Sequence, residues 1–212
     1  AHYDFTGDDH PEYDRTNVQG LRHVLEECRG LDLDRFVFAS SLAACRFPPK
    51  GSALTEASPP DGEHIYARSK RLGEEMLGEF RDSVPSVSVR FAAVFSDWCE
   101  YAPLHVFIET WLSDVWNARI LGGRGASAIP YLHARELAPF MSRVLDRHRR
   151  LEPASVAIAS PNHTVSHLEL YRLAHRYSGL NGRSPIFMPA PLARLGVWGR
   201  DLIGRMMGDR PF

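Results

Sequence analysis

The sequence predicts an α/β fold built on a parallel sheet, and three observations carry the prediction. Phe36–Ala39 is a short apolar, aromatic run of the kind that fills a buried parallel strand. Val87, Val89 and Phe91 begin a second such run. Between the two lie a loop and a helix, and this alternation of strand, helix and strand indicates a parallel sheet, not a bundle or a sandwich. At 212 residues the chain is long enough for one sizeable core with a smaller appended lobe.

Each element has its own local reason. Residues 1–10 are polar and turn-like. From Pro11 to Cys28 the apolar positions Val18, Leu21, Val24, Leu25 and Cys28 recur at helical spacing, and Gly30 is placed to cap the C-terminal end. Residues 47–62, with Pro48-Pro49 and Pro59-Pro60, read as a loop. A helix from Tyr66 to Arg81 carries Leu72, Met76, Leu77 and Phe80 on one side, until Val84-Pro85 breaks it. Beyond Ala93 the pattern is less regular. It gives a helix around Leu104–Trp116, a short strand near Arg119–Leu121, an apolar run Ile129–Leu132 and a helix from Arg135 to Arg149. Val156–Ala159 is a further strand, and Ser166 with Glu169 forms a capping box for a helix running to Ser178. Gly122-Gly123-Arg124-Gly125 reads as a surface turn. The tail from Pro191 to Met207 places Leu192, Leu195, Trp198, Leu202, Ile203 and Met206 on one stripe, with arginines elsewhere. Such a stripe packs on the protein's own lobe or lies on a membrane surface.

The chemistry is concentrated in Tyr66-Ala67-Arg68-Ser69-Lys70 and in Ser40-Ser41, which end the first strand. A phenol of ordinary pKa about 10 is a poor acid or base near neutral pH. On a helix, however, Lys70 shares a face with Tyr66, and its ammonium can stabilise the phenolate. Tyr66 then serves as a general acid or base, with Ser41 at the strand's C-terminal end holding the reacting oxygen. The chain has only two lysines, Lys50 and Lys70, among seven tyrosines, so about 0.07 such pairs are expected by chance. An exposed helix that merely carries both residues is the plainer alternative.

These residues resemble the extended short-chain dehydrogenase/reductase family, the NAD-dependent epimerase/dehydratase group. Asn17-Val18-Gln19-Gly20 looks like that family's Asn-Val-x-Gly helix, and Phe36–Ser41 like the strand that delivers its serine. Leu54-Thr55-Glu56, Ser86–Phe91 with Arg90, and Pro130–Ala138 also match in order and spacing. The resemblance covers most of residues 1–150. It implies a partial Rossmann-like, doubly wound parallel sheet over residues 1–95 and a mixed substrate lobe with a helical tail over 96–212, some segments of which return to the sheet. It implies NAD or NADP as cofactor, with Tyr66, Lys70 and Ser40 near it and Lys70 on the nicotinamide ribose; Ser40 is, more plainly, a structural hydroxyl. Asn17 is implied in a proton relay where its helix bends, or else in local capping. Arg90 and Ala93 fall at substrate-binding positions, although Arg90 can equally pair with a carboxylate. A homodimer through helices 11–29 and 66–81 is the family's arrangement, and the cytoplasm is the expected location.

Departures from the family pattern matter as much. No Gly-x-x-Gly-x-x-Gly turn, the cradle for the cofactor pyrophosphate, is present. Ala1-His2 aligns with the end of the family's fourth strand, so the chain reads as truncated, and weak or no dinucleotide binding is expected of residues 1–212 alone. Ala44-Cys45-Arg46 stands where sugar-nucleotide epimerases continue toward Val-Tyr-Gly. Ala93 replaces an asparagine and Ser96-Asp97 a Gly-Pro pair. These changes remove polar contacts to a nucleotide sugar and favour a redox enzyme for a small alcohol or carbonyl, with Phe95, Trp98 and Trp111 as pocket or core. A nucleotide-sugar epimerase or dehydratase, and a nucleotide sensor without turnover, are the alternatives.

Composition excludes other classes. A net charge of −1 offers no general attraction to nucleic acid. No run approaches the twenty apolar residues of a membrane span. Three scattered cysteines form no disulfide framework or zinc site, and the ten histidines show no ligand spacing.

Overall fold

A computed structural model describes residues 2–3, 9–49, 51–180, 183–189 and 191–192. The predicted tail 191–207 therefore lies outside the described residues apart from Pro191 and Leu192. In chain order the elements are α1 (Gly20–Cys28), β1 (Phe36–Ser41), α2 (Ile65–Glu79), β2 (Ser86–Phe91), β3 (Ala93–Phe95), α3 (Ala102–Leu112), β4 (Ile120–Gly122), β5 (Tyr131–His133), α4 (Ala134–Asp146), β6 (Ser155–Ala159), α5 (His167–Tyr177) and β7 (Ile186–Met188). The chain divides into two units, residues 1–92 with 135–160, and 93–134 with 161–212.

The first unit is a parallel sheet of order β1-β2-β6. Ser86–Arg90 of the central strand are buried on both faces. Phe36 N–H donates to Pro85 O, so the peptide groups of Phe36, Phe38 and Ser40 face β2 while those of Val37, Ala39 and Ser41 face outward. Leu21 and Leu25 of α1 pack with Met76, Leu77, Phe80 and Val84 against Phe36 and Phe38, which puts α1 and α2 on one face of the sheet. Gly73 sets how closely α2 approaches. A Cβ there would lie 2.4 Å from the Phe38 ring, so only glycine lets the helix settle this deep.

The helix predicted from Pro11 begins there, but residues Tyr13–Gln19 form a π-helical turn before α1. Gly30 does not act as a left-handed cap; Arg29 N–H closes the helix on Glu26 O. The helix predicted to Trp116 ends at Leu112, where Ser113 turns extended and its hydroxyl donates to Thr110 O. The one predicted to Arg149 ends at Asp146 and is followed by a 3-10 turn, His148–Arg150.

The second unit holds two small parallel pairs, β3 with β5 and β4 with β7. Its core is Trp111, Leu121 and Tyr171, with Phe107, Leu168 and Leu170 packed against them. The capping box at Ser166 and Glu169 forms as predicted. Gly123 and Gly125 take positive φ in the turn after β4, and a Cβ on Gly125 would meet Leu168 at 2.9 Å.

Candidate active site

Tyr66 enters the site because α2 begins just before it. His64 caps the helix, its Nδ1 accepting from Ala67 N–H at 3.3 Å, and its ring stacks 6.1 Å from that of Tyr66. Tyr3 meets Tyr66 edge-on at 4.7 Å. One turn on, Lys70 is only 5 % exposed. Its Nζ donates to the outward Ala39 O at 2.8 Å and lies 5.5 Å from the Tyr66 ring centre and 5.3 Å from that of Phe38. Among the described residues no carboxylate pairs with it, and burial pushes its pKa below the ordinary lysine value. A cation held in a dry setting acts strongly on a neighbouring phenol, because little solvent screens it.

Ser41 ends β1 and caps the short turn Leu42–Ala44, its Oγ accepting from Ala43 N–H at 3.1 Å. Among the described residues that hydroxyl accepts and does not donate, so its proton remains for a further acceptor. Ser40 points to the helical face, where its hydroxyl donates to Glu74 Oε1 at 2.6 Å. Asn17, in the π-helical turn, is buried. Its side-chain oxygen accepts from His2 N–H, and its amide donates to His2 O at 2.8 Å and Ser69 Oγ at 3.1 Å. Ser69 in turn donates to Tyr66 O at 2.8 Å. Asn17 thus ties the start of the chain to the turn of α2 that bears the tyrosine.

Arg90 is 2 % exposed and forms a two-pronged ion pair with Glu74, Nε to Oε1 at 2.9 Å and Nη2 to Oε2 at 2.7 Å. Its Nη1 donates to Ser58 O at 2.7 Å. Hydrogen bonding by Glu74 holds the guanidinium pKa above its already high value. All of this commits Arg90 to the protein interior. Ala93 starts β3 in the second unit, its N–H bonded to Pro130 O, and its methyl offers only apolar contact. In the same unit Ser96 bonds the Glu100 carboxylate through both its N–H and its hydroxyl, while Asp97 meets His133 Nε2 at 3.2 Å. Trp111 is core at 4 % exposure, Trp98 is 86 % exposed, and Phe95 lies against Tyr131 and His133. Burial pushes the Tyr131 phenol up to about 12.

The structure therefore gathers Tyr66, Lys70, Ser41, Ser40, Asn17 and Arg90 in the first unit around one helix. Sequence reasoning missed Glu74, although it sits four residues beyond Lys70 and eight beyond Tyr66 on the same helical face, and that spacing is a readable signal. Ser58 contributes through a carbonyl, which no side-chain pattern reveals. Among the described residues no group of His, Cys, Asp and Glu could hold a metal.

The architecture is that of a Rossmann-type α/β protein. The NAD dependent epimerase/dehydratase family matches residues 1–159, and the chain belongs to that family. Its sequence is 28 % identical over 99 residues to uronate dehydrogenase from Pseudomonas syringae pv. tomato, covering 46 % of this chain and 34 % of that protein. Among solved structures, UDP-glucuronic acid 4-epimerase from Bacillus cereus in complex with NAD superposes with a TM-score of 0.72 at 18 % identity, covering 90 % of this chain and 60 % of the epimerase. dTDP-glucose 4,6-dehydratase from Bacillus anthracis in complex with NAD gives 0.68 at 18 % identity, over 84 % and 57 %. The chain thus spans about a third to three fifths of these proteins. Among the described residues no helix is long and apolar enough to cross a membrane.

Proposed function

We propose that this chain carries the proton-transfer part of a cytoplasmic, nicotinamide-dependent oxidoreductase that interconverts an alcohol and its carbonyl. The observation that carries the reading is the Lys70 ammonium, buried beside the Tyr66 ring with, among the described residues, a single carbonyl acceptor. An ammonium has three donors, and one is used among the described residues, which leaves donors for the hydroxyls of a nicotinamide ribose. The residues present fit that end of the cofactor. They do not fit its pyrophosphate, for which the chain has no glycine turn.

Tyr66 and Lys70 would hold the ribose, and NAD is favoured over NADP by the NAD named with the structural neighbours. When bound, the nicotinamide supplies the hydride acceptor or donor. Lys70 stabilises the Tyr66 phenolate, so the phenol oxygen takes the proton of the substrate hydroxyl in oxidation and returns it in reduction. Ser41 donates its hydroxyl proton to the same substrate oxygen and orients it. Positioned acid-base catalysis of this kind contributes about 10²- to 10⁴-fold, so Tyr66→Phe in the complete protein should lower turnover by that order. Full turnover in the Phe variant would sink the assignment.

The substrate reading follows from Ala93, whose methyl offers no hydrogen bond, and from Ser96 and Asp97, which are occupied by Glu100 and His133. It is a free alcohol or carbonyl, of the kind the name uronate dehydrogenase describes for one relative. Nucleotide-sugar epimerisation or dehydration is the second reading, favoured by the structural likenesses. Product analysis separates them: net NADH formation with free alcohols marks the first, and an isomerised or dehydrated sugar without net NADH marks the second. For residues 1–212 alone, titration with NADH against a Lys70→Ala control should show weak or no binding.

A further inference from the structure

We propose that Glu74 is a positioning residue for Tyr66, Lys70 and Ser41: its buried carboxylate locks α2 to the ends of β1 and β2 and so holds Lys70 over the Ala39 carbonyl. The inference rests on the proton-transfer reading above and adds a residue to it.

The geometry supplies the argument. Glu74 accepts three hydrogen bonds, from Ser40 Oγ, Arg90 Nε and Arg90 Nη2, at 2.6, 2.9 and 2.7 Å. Only a carboxylate meets all three donors, since an amide would turn its own N–H groups toward one prong of the guanidinium. Each donor belongs to an element that bears on the site. Ser40 lies between Ala39, whose carbonyl takes Lys70, and Ser41. Arg90 is the penultimate residue of the central strand and reaches Ser58 in the loop that leads into α2. Lys70 is one helical turn from Glu74, and Tyr66 about 12 Å along the axis at 1.5 Å per residue.

Charge alone does not explain the arrangement. The carboxylate is matched by Arg90, and the lowered Lys70 pKa has burial as its cause, with no contribution from Glu74. Glu74 therefore acts on Lys70 by where it holds the helix. A positional role and an electrostatic one then predict opposite signs. If loss of Glu74 lets water reach Lys70, the ammonium pKa rises toward the exposed value. If the carboxylate stabilised the ammonium by charge, the pKa would fall further on its removal.

The chain's two lysines make the test direct. With ¹³C at the lysine Cε and Lys50→Arg as background, Lys70 is a single NMR probe whose titration can be followed in residues 1–212. Glu74→Gln should shift that titration upward, and Ser40→Ala, which removes one of the three bonds and leaves the ion pair, should shift it in the same direction by less. Folding of each variant is checked by far-UV circular dichroism. If Glu74→Gln does not fold, Ser40→Ala carries the test. A folded variant in which Lys70 titrates as before, even with a lowered melting temperature, would show a merely structural carboxylate and overturn the proposal, as would a downward shift. Retained turnover in Tyr66→Phe would instead end the proton-transfer reading while leaving the Lys70 titration as it stands.

Discussion

The two units hold themselves together by different means. In the first, a ladder of three parallel strands carries α1 and α2, and Ser40, Glu74, Arg90 and the Ser58 carbonyl are joined in one buried network. In the second, the strands are three residues long, and rings do the packing: Phe107 stacks on Trp111 at 5.5 Å, Trp111 meets Tyr171 at 5.7 Å, and Tyr171 lies 4.1 Å from His175. Buried side-chain atoms with no partner among the described residues occur in both units, Ser86 Oγ and Ser155 Oγ in the first, Tyr131 Oη and His167 Nε2 in the second, so it is the buried ion pair that sets the first unit apart. A network of charge is all or nothing, because removing one member strands another, whereas apolar packing yields by degrees. The candidate catalytic groups stand on the brittle unit.

That contrast is open to direct attack. Arg90→Met leaves the Glu74 carboxylate buried without its cation, and we expect a loss of about 3–5 kcal/mol in urea unfolding followed by circular dichroism. A loss below about 1 kcal/mol, the worth of an exposed pair, would show that the network is not brittle. Gly73→Ala drives a methyl into the Phe38 ring, and the expected cost is that of overpacking, about 1–3 kcal/mol. The second unit should respond more gently to a lost polar contact. Ser166→Ala removes the capping box of α5 at a cost of about 1 kcal/mol. Trp98, Trp111 and Trp116 lie in that unit, so their fluorescence follows its unfolding.

The smallest effect expected is one of pH. Burial holds the His64 pKa below its ordinary value, so between the unfolded and folded pKa values the unfolded chain binds the extra proton. The contribution of His64 is present above about 6.5 and is lost as the pH falls below it. Protonation also removes the Nδ1 acceptor that caps α2. His64→Ser, which can cap without titrating, should therefore have a flatter stability profile from pH 7.5 down to 5 than the parent chain. Parallel profiles would show that the cap does not couple to protonation.

The first unit was the more legible in sequence for a physical reason. Its strands are long enough to show apolar runs, and α2 announces itself by an apolar side, of which Met76, Leu77 and Phe80 enter the core, and by Tyr66 and Lys70 at helical spacing. Glu74 was equally accessible by spacing but looks like any acidic residue on a helix. What makes it different is the burial of Arg90, a tertiary fact. The π-helical turn at Tyr13–Gln19 has no composition signal, since its residues would suit an ordinary helix. Strands β3 and β7 are three residues each, too short for periodicity to register, and which of the segments after Ala93 returns to the first sheet depends on the pairing of Ser155–Ala159 with β2. The irregular pattern beyond Ala93 thus reflects a region where contacts between distant rings decide the structure.

The hydrogen bond from Lys70 to Ala39 has a consequence for association as well as for chemistry. In the described sheet β1 is terminal, and the carbonyls of Val37, Ala39 and Ser41 face away from β2. An exposed row of such groups is a template on which a foreign strand can dock. The ammonium occupies the middle carbonyl of that row, so a strand pairing there would have to displace it before it could form a ladder. That strand therefore offers one free acceptor fewer to a pairing partner.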